Sequence, residues 1–170
     1  MFVTLFYAIL DPQKRRLTFV NAGHNPPLLF SSGIPGVSLL NAKGRAPGII
    51  DEVDLEPVEV TLSPGDVVVL YTDGVTEAAS EHDEEYGIGR LSALVEASKG
   101  LPAKEIISAI VQDVRRFTGK RPQFDDITLM VLKVTGGGYF SRSFGRDIPD
   151  MYQRFMLIQG ETLPNHMIGA

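Results

Sequence analysis

Two acidic positions in this sequence have the type and placement to do chemistry. Asp73 ends an apolar run, Val67-Val68-Val69-Leu70-Tyr71-Thr72, and Gly74 follows at once, letting the chain turn away. Asp125-Asp126 stands immediately before a second run, residues 127–134. A carboxylate at the rim of a core is costly unless a cation or a hydrogen-bond network receives it. Hard cations such as Mg²⁺ and Mn²⁺ prefer carboxylate, carbonyl and water oxygens, and Asp73 and Asp125 at neighbouring strand ends would supply such ligands. Metal-bound water has a lowered pKa and becomes a nucleophile, and two metals about 4 Å apart can also hold a phosphate. His24 is a further candidate, as ligand or proton carrier. Its setting, Asn21-Ala22-Gly23-His24-Asn25-Pro26-Pro27, has the composition of a turn, so His24 and Asn25 read either as turn residues or as residues beside a substrate.

The elements that must position these side chains follow from pattern. Residues 1–10 form a continuous apolar run rich in Phe, Val, Thr, Ile and Tyr, expected to be a strand buried on both faces. Asp11-Pro12 breaks it, and residues 17–21 resume with alternation, which predicts a β-hairpin. Such a first strand needs neighbours that the chain does not obviously supply. Short strands are expected at 28–30, 37–40 and 56–62, with Ser63-Pro64-Gly65-Asp66 as a tight turn into the run at 67–71, and their close spacing indicates an antiparallel system. Residues 75–86 carry Glu77, Glu81, Asp83, Glu84 and Glu85 without periodicity, and predict a solvated loop that could help select a substrate. Apolar stripes predict helices at 88–97 and 103–117, each packing one face against a sheet. A last strand spans 127–134. Gly136-Gly137-Gly138 reads as a joint, and residues 139–170 as a tail without a functional reading, with one short helix at 148–158.

Composition narrows the function classes. The 170 residues suffice for one domain, and 44% apolar with 22% charged residues is ordinary for a globular protein. A net charge of −5 argues against a nucleic-acid footprint. With no cysteine, disulfides and thiolate metal sites are excluded. No apolar run has the length of a membrane span, and the opening residues show no leader pattern, so the expected location is cytoplasmic.

Four segments taken together resemble the PPM-type metal-dependent serine/threonine phosphatases, in their SpoIIE/RsbU-like bacterial branch. They are MFVTLFYAILDP at 1–12, LTFVNAGHNPPLL at 17–29, GDVVVLYTDGVTEA at 65–78 and FDDITLMVLKV at 124–134. Their order, spacing and the two intervening helices match as well, so the resemblance covers residues 1–135 and leaves 136–170 as joint and tail. It implies an α+β fold, a β-sandwich of antiparallel sheets flanked by helices. It also implies hydrolysis of phosphoserine or phosphothreonine by a water activated by Mn²⁺ or Mg²⁺, with no catalytic side chain beyond that water. The Asp of the family's TDG motif falls on Asp73, and the first Asp of its D-[DN]-x-[ST] motif falls on Asp125; both bind metal in the family. Asp126 and Gly74 occupy supporting positions. The implied partners are phosphorylated anti-sigma-factor antagonists, which control sigma factors.

The departures are as informative as the matches. The family carries a metal-bridging Asp in a G-D-x-S-G-x-G type segment, and none of these 170 residues form one. Ser80 stands where relatives often carry Asn. The expectation is therefore an N-terminally incomplete domain. Asp73 and Asp125 would hold one metal weakly, activity would be weak or absent, and uncovered sheet edges would favour self-association. The alternative is a non-catalytic module, derived from such a phosphatase, that binds a phosphoprotein or regulator. A third possibility is a truncated reading frame.

Overall fold

The alternation of the first hairpin and the buried valine run each organise a sheet of their own. The computed structural model describes residues 2–44, 55–123, 125–136, 140–142 and 153–161. The chain divides into two units, one drawn from residues 1–26, 41–61 and 152–170, the other from 27–40 and 62–151.

In the first unit, β1 (Phe2–Asp11) and β2 (Arg16–Ala22) form the predicted hairpin, with Leu10 opposite Leu17 and Phe6 opposite Asn21. Strand β5 (Val58–Thr61) joins β2 on its far side, and β9 (Gln153–Glu161) joins β1, giving an antiparallel sheet in the order β5-β2-β1-β9. Three expectations change here. Strand β1 is not buried on both faces: Thr4, Phe6, Ala8 and Leu10 are buried, while Val3, Leu5, Tyr7 and Ile9 are only half-buried. The outward positions are apolar too, which hides the period of two from the sequence. Nor does β1 lack a neighbour, because nine residues of β9 pair with it, from Phe2 opposite Glu161 to Leu10 opposite Gln153. The helix expected at 148–158 is a strand where it is described; residues 148–152 lie outside the described residues. Inside the hairpin Phe6 and Phe19 stack with centroids 5.4 Å apart.

The second unit carries the sheet β4-β3-β6-β7-β8, made of β3 (Leu28–Phe30), β4 (Ser38–Leu39), β6 (Val67–Tyr71), β7 (Leu129–Val134) and β8 (Phe140–Arg142), antiparallel throughout. All five residues of β6 are buried. It lies in the middle of the sheet, which is what its unbroken apolar sequence requires. The tight turn before it is held by Asp66, whose carboxylate accepts the N–H groups of Ser32 at 2.6 Å and Ser63 at 2.8 Å.

Helices α2 (Gly87–Ser98) and α3 (Ala103–Thr118) bring Leu91, Val95, Ile106, Ile110 and Val114 into a core with Leu28, Phe30, Val67, Val69, Tyr71, Leu129 and Val131. The i, i+4 spacing of the helical residues places them on one stripe. A polar clamp joins the two helices on the outside. Arg90 lies over the rings of Tyr86 (5.3 Å) and Phe117 (4.7 Å), and its Nε donates to Asp113 at 3.0 Å. The Tyr86 hydroxyl donates to the same carboxylate at 2.8 Å. Burial, and then the Asp113 carboxylate, push the Tyr86 phenol well above its ordinary range. From the sheet side, Lys133 Nζ donates to the carbonyls of Lys99 (2.8 Å) and Leu101 (2.7 Å), satisfying acceptors just past the end of α2. Antiparallel sheets together with helices give the α+β class expected from the sequence.

Candidate functional site

The site is assembled where the pairing of β6 and β7 runs out. One residue beyond β6, the Thr72 N–H still donates to the Thr128 carbonyl at 3.1 Å. The Thr72 side chain then bridges the approaching segment: its Oγ1 donates to the Asp126 carbonyl at 2.8 Å and accepts the Thr128 N–H at 2.9 Å. The chain next winds into a single turn, α1 (Asp73–Thr76), with the Glu77 N–H donating to the Asp73 carbonyl at 2.8 Å. Gly74 lies inside this turn against the backbone of 125–126. A Cβ at Gly74 would lie 2.6 Å from the Asp126 carbonyl oxygen and 3.2 Å from that of Asp125. The glycine is thus required for close approach of two backbones, not for a reversal of direction.

That contact brings together the segments that carry Asp73 and Asp125, backbone against backbone. The Asp125 carboxylate is oriented by its neighbour, since its Oδ1 accepts the Asp126 N–H at 2.8 Å, and Gln123 Nε2 donates to the Asp125 carbonyl at 2.6 Å. Asp126 contributes its main-chain carbonyl to the Thr72 bridge. Beside these residues opens a cleft of about 390 Å³ that has Gly74, Glu77, Arg115, Gln123 and Asp125 in its lining, over an apolar floor that includes Val114.

Residues 77–86 form an ordered loop with 81–85 exposed, as the solvated loop expected at 75–86 requires, while α1 takes up residues 75–76; Glu77, Ala78 and Ala79 line the cleft. Ala79 bridges Glu85, the Ser80 N–H donates to the Glu84 carbonyl at 2.8 Å, and Ser80 Oγ accepts the N–H groups of His82 and Glu84, both at 3.2 Å. Arg121 ties the loop to the end of α3 by donating to the Ser80 carbonyl at 2.9 Å and pairing with Asp83. Glu81 accepts the Lys120 N–H at 3.1 Å. Glu81 and Asp83 thus help to fasten the loop through their side chains.

His24 and Asn25 belong to the other unit. His24 is buried, its N–H donates to Asn21 Oδ1 at 2.8 Å, its carbonyl accepts from Asn21 Nδ2 at 2.9 Å, and its Nδ1 lies 3.0 Å from Thr4 Oγ1. These are the bonds of a tight turn, with Gly23 at φ +74. Asn25 follows, half-buried.

The donor chemistry of Asp73 and Asp125 fits one hard dication completed by water. A closed or binuclear site would need more. Among the described residues no group of three or more His, Cys, Asp or Glu side chains could hold a metal ion. Sequence reasoning missed Thr72 as a bridge, and Gln123 and Arg115 as lining. The available signals were the hydroxyl residue preceding Asp73, and the position of Arg115 four residues after Val111 on the stripe of α3.

Comparison with known proteins adds independent observations. The family model described as Stage II sporulation protein E (SpoIIE) matches residues 1–135. Phosphoserine phosphatase RsbU of Bacillus subtilis is 33% identical over 135 residues, covering 78% of this chain and 39% of RsbU. Among solved structures, the SiaA-PP2C domain of Pseudomonas aeruginosa superposes with a TM-score of 0.60 at 31% identity, over 69% of this chain and 46% of that one. The Mn-presoaked phosphatase domain of SpoIIE from Bacillus subtilis gives 0.56 at 26% identity, over 79% and 57%. The chain spans less than half the length of the curated relatives it matches.

Proposed function

Because the chain belongs to the SpoIIE family, we propose that its residues 1–135 are a metal-dependent phosphoprotein phosphatase domain acting on phosphoserine or phosphothreonine in bacterial sigma-factor regulation. Asp73 and Asp125 are the residues that would hold Mn²⁺ or Mg²⁺, one ion weakly. The chemistry such an ion supplies is a water acidified enough to attack phosphorus, with charge neutralisation on the phosphoryl oxygens. The chain's own residues do the positioning. Thr72 and Gly74 hold the two carboxylate-bearing segments together, Gln123 and the Asp126 N–H orient Asp125, and Glu77, Ala78 and Ala79 bound the cleft in which a phosphorylated side chain would lie. The observation that carries this reading is the close backbone approach of Gly74 to Asp125 and Asp126. The substrate assigned is a phosphorylated protein of the anti-sigma-factor antagonist type, in the cytoplasm; no described helix is long and apolar enough to cross a membrane.

Two carboxylates hold too little negative charge to keep two dications close together, so hydrolysis by these 170 residues alone is expected to be weak or absent. That shortage also favours a second reading, a non-catalytic phosphoprotein-binding module of the same descent. Calorimetry with Mn²⁺ and hydrolysis of p-nitrophenyl phosphate distinguish the two. Weak Mn²⁺ binding lost in Asp73→Asn and Asp125→Asn, with slow turnover abolished by either, supports the phosphatase. Mn²⁺ binding without turnover, alongside phosphoprotein binding, supports the module. Robust turnover refutes the one-metal reading, and absence of Mn²⁺ binding refutes the metal site.

A further inference from the structure

The arginines of α2, α3 and the loop after α3 differ in their partners. Arg90 and Arg116 pair with Asp113, and Arg121 pairs with Asp83. Arg115, exposed in the last turn of α3, makes no ion pair among the described residues, yet it lines the cleft. A basic residue at a helix C-terminus is favoured by the helix dipole whatever else it does. That accounts for the charge but not for its direction: adjacent Arg116 turns to Asp113, while Arg115 borders the cavity.

Among the described residues, the cleft has one cationic side chain in its lining, Arg115. Its other charged lining residues are Glu77 and Asp125, and Asp73 immediately precedes Gly74. A phosphate monoester carries a charge of about −1.5 to −2 at neutral pH, and these carboxylates would repel it. A guanidinium presents a rigid fork of donors that matches two phosphate oxygens at once, which an ammonium cannot do. We infer that Arg115 is the phosphate-binding residue of this cleft, gripping the phosphoryl oxygens of a phosphoserine substrate beside Asp125. The assignment rests on the proposed phosphatase function for the identity of its substrate. It adds the group that recognises the phosphoryl oxygens and gives α3 a part in substrate binding.

The test is calorimetric titration of the full chain with O-phosphoserine, inorganic phosphate and serine, once with Mn²⁺ and once with EDTA. Phosphoserine is expected to bind, serine not to bind, and phosphate to compete. Arg115→Ala is expected to weaken phosphoserine binding roughly tenfold in whichever condition the wild type binds it, and Arg115→Lys less, the loss of a charge-assisted bond. Mn²⁺ affinity, measured separately, is expected to be unchanged in both variants. Circular dichroism checks α3; if Arg115→Ala unfolds, Arg115→Gln, which keeps most of the aliphatic stem, takes its place. Equal phosphoserine binding by wild type and variant, binding by neither, or failure of phosphate to compete overturns the assignment. The metal site fails on a different reading, Mn²⁺ binding unchanged in Asp125→Asn, and the Arg115 comparison in EDTA still decides the present inference.

Discussion

The Thr72 hydroxyl donates to the Asp126 carbonyl at 2.8 Å while accepting the Thr128 N–H at 2.9 Å. One buried side chain thereby satisfies two main-chain groups of the facing segment, at the point where the sheet can no longer do so. Thr72→Val keeps the volume and removes both bonds. It is expected to cost about 1 kcal/mol, the net worth of partly buried hydrogen bonds, read as a lower urea midpoint with unchanged slope. Mn²⁺ affinity falls with it, whereas Thr72→Ser retains both properties.

Gly74→Ala separates helix propensity from close approach. In an unconstrained helical turn alanine would stabilise by up to about 1 kcal/mol. Here its Cβ would fall 2.6 Å from the Asp126 carbonyl oxygen, and the two backbones must part. Thermal unfolding is expected to show destabilisation of about 1–3 kcal/mol, together with loss of Mn²⁺ binding. A rise in stability would show that the approach is loose.

Asp113 makes the helix clamp sensitive to acid. Its carboxylate is held below the ordinary 3.8, chiefly by the Arg90 hydrogen bond, against opposing burial, with Tyr86 and Arg116 adding to the effect. A depressed folded value means that its stabilisation is complete above 3.8 and is lost as pH falls through that lower value. Tyr86 behaves in the opposite sense: its raised value gives stability that is full below 10.0 and lost as pH climbs above it. Asp113→Asn is expected to cost about 1–3 kcal/mol at neutral pH and to flatten the acid limb of a stability-versus-pH curve. An acid limb as steep as that of the wild type would assign it to other carboxylates.

Strand β9 covers β1, and removing its pairing should reopen that edge. Successive N–H groups of a strand point to opposite sides, so Met156→Pro combined with Leu157→Pro removes at least one ladder bond opposite Tyr7 or Phe6. Light scattering after size exclusion is expected to show concentration-dependent association of the double variant, as unpaired strand edges promote. A monomer at all concentrations would mean that β1 is protected in another way.

What could be read from the sequence was whatever local pattern determines. Val67 to Tyr71 could only be a buried strand, and the stripes of α2 and α3 fixed both helices to within a residue or two at each end. Asp73 and Asp125, two residues after β6 and four before β7, stood out as candidates because a charge terminating an apolar run is conspicuous. Strand β9 was not, because Gln, Arg, Met and Leu within Gln153–Glu161 suit a helix equally well, and its partner lies at the opposite end of the chain. The loop at 77–86 was legible as exposed and acidic, but its internal order was not, because that order comes from Arg121, Lys120 and its own Ser80, none of which has a local periodicity. Arg115 went unnoticed because a basic residue at a helix end has an adequate reason to be there already.

The register that sets Phe2 opposite Glu161 has a consequence in time. A ribosome adding about 5–20 residues per second needs roughly ten to thirty seconds between making β1 and making its partner. Throughout that interval the hairpin β1–β2 can form, while the residues of β9 that pair with β1 have yet to be made. The four-stranded sheet therefore closes last, across the largest loop in the fold, and loop closure of that span is the slow kind of step in folding.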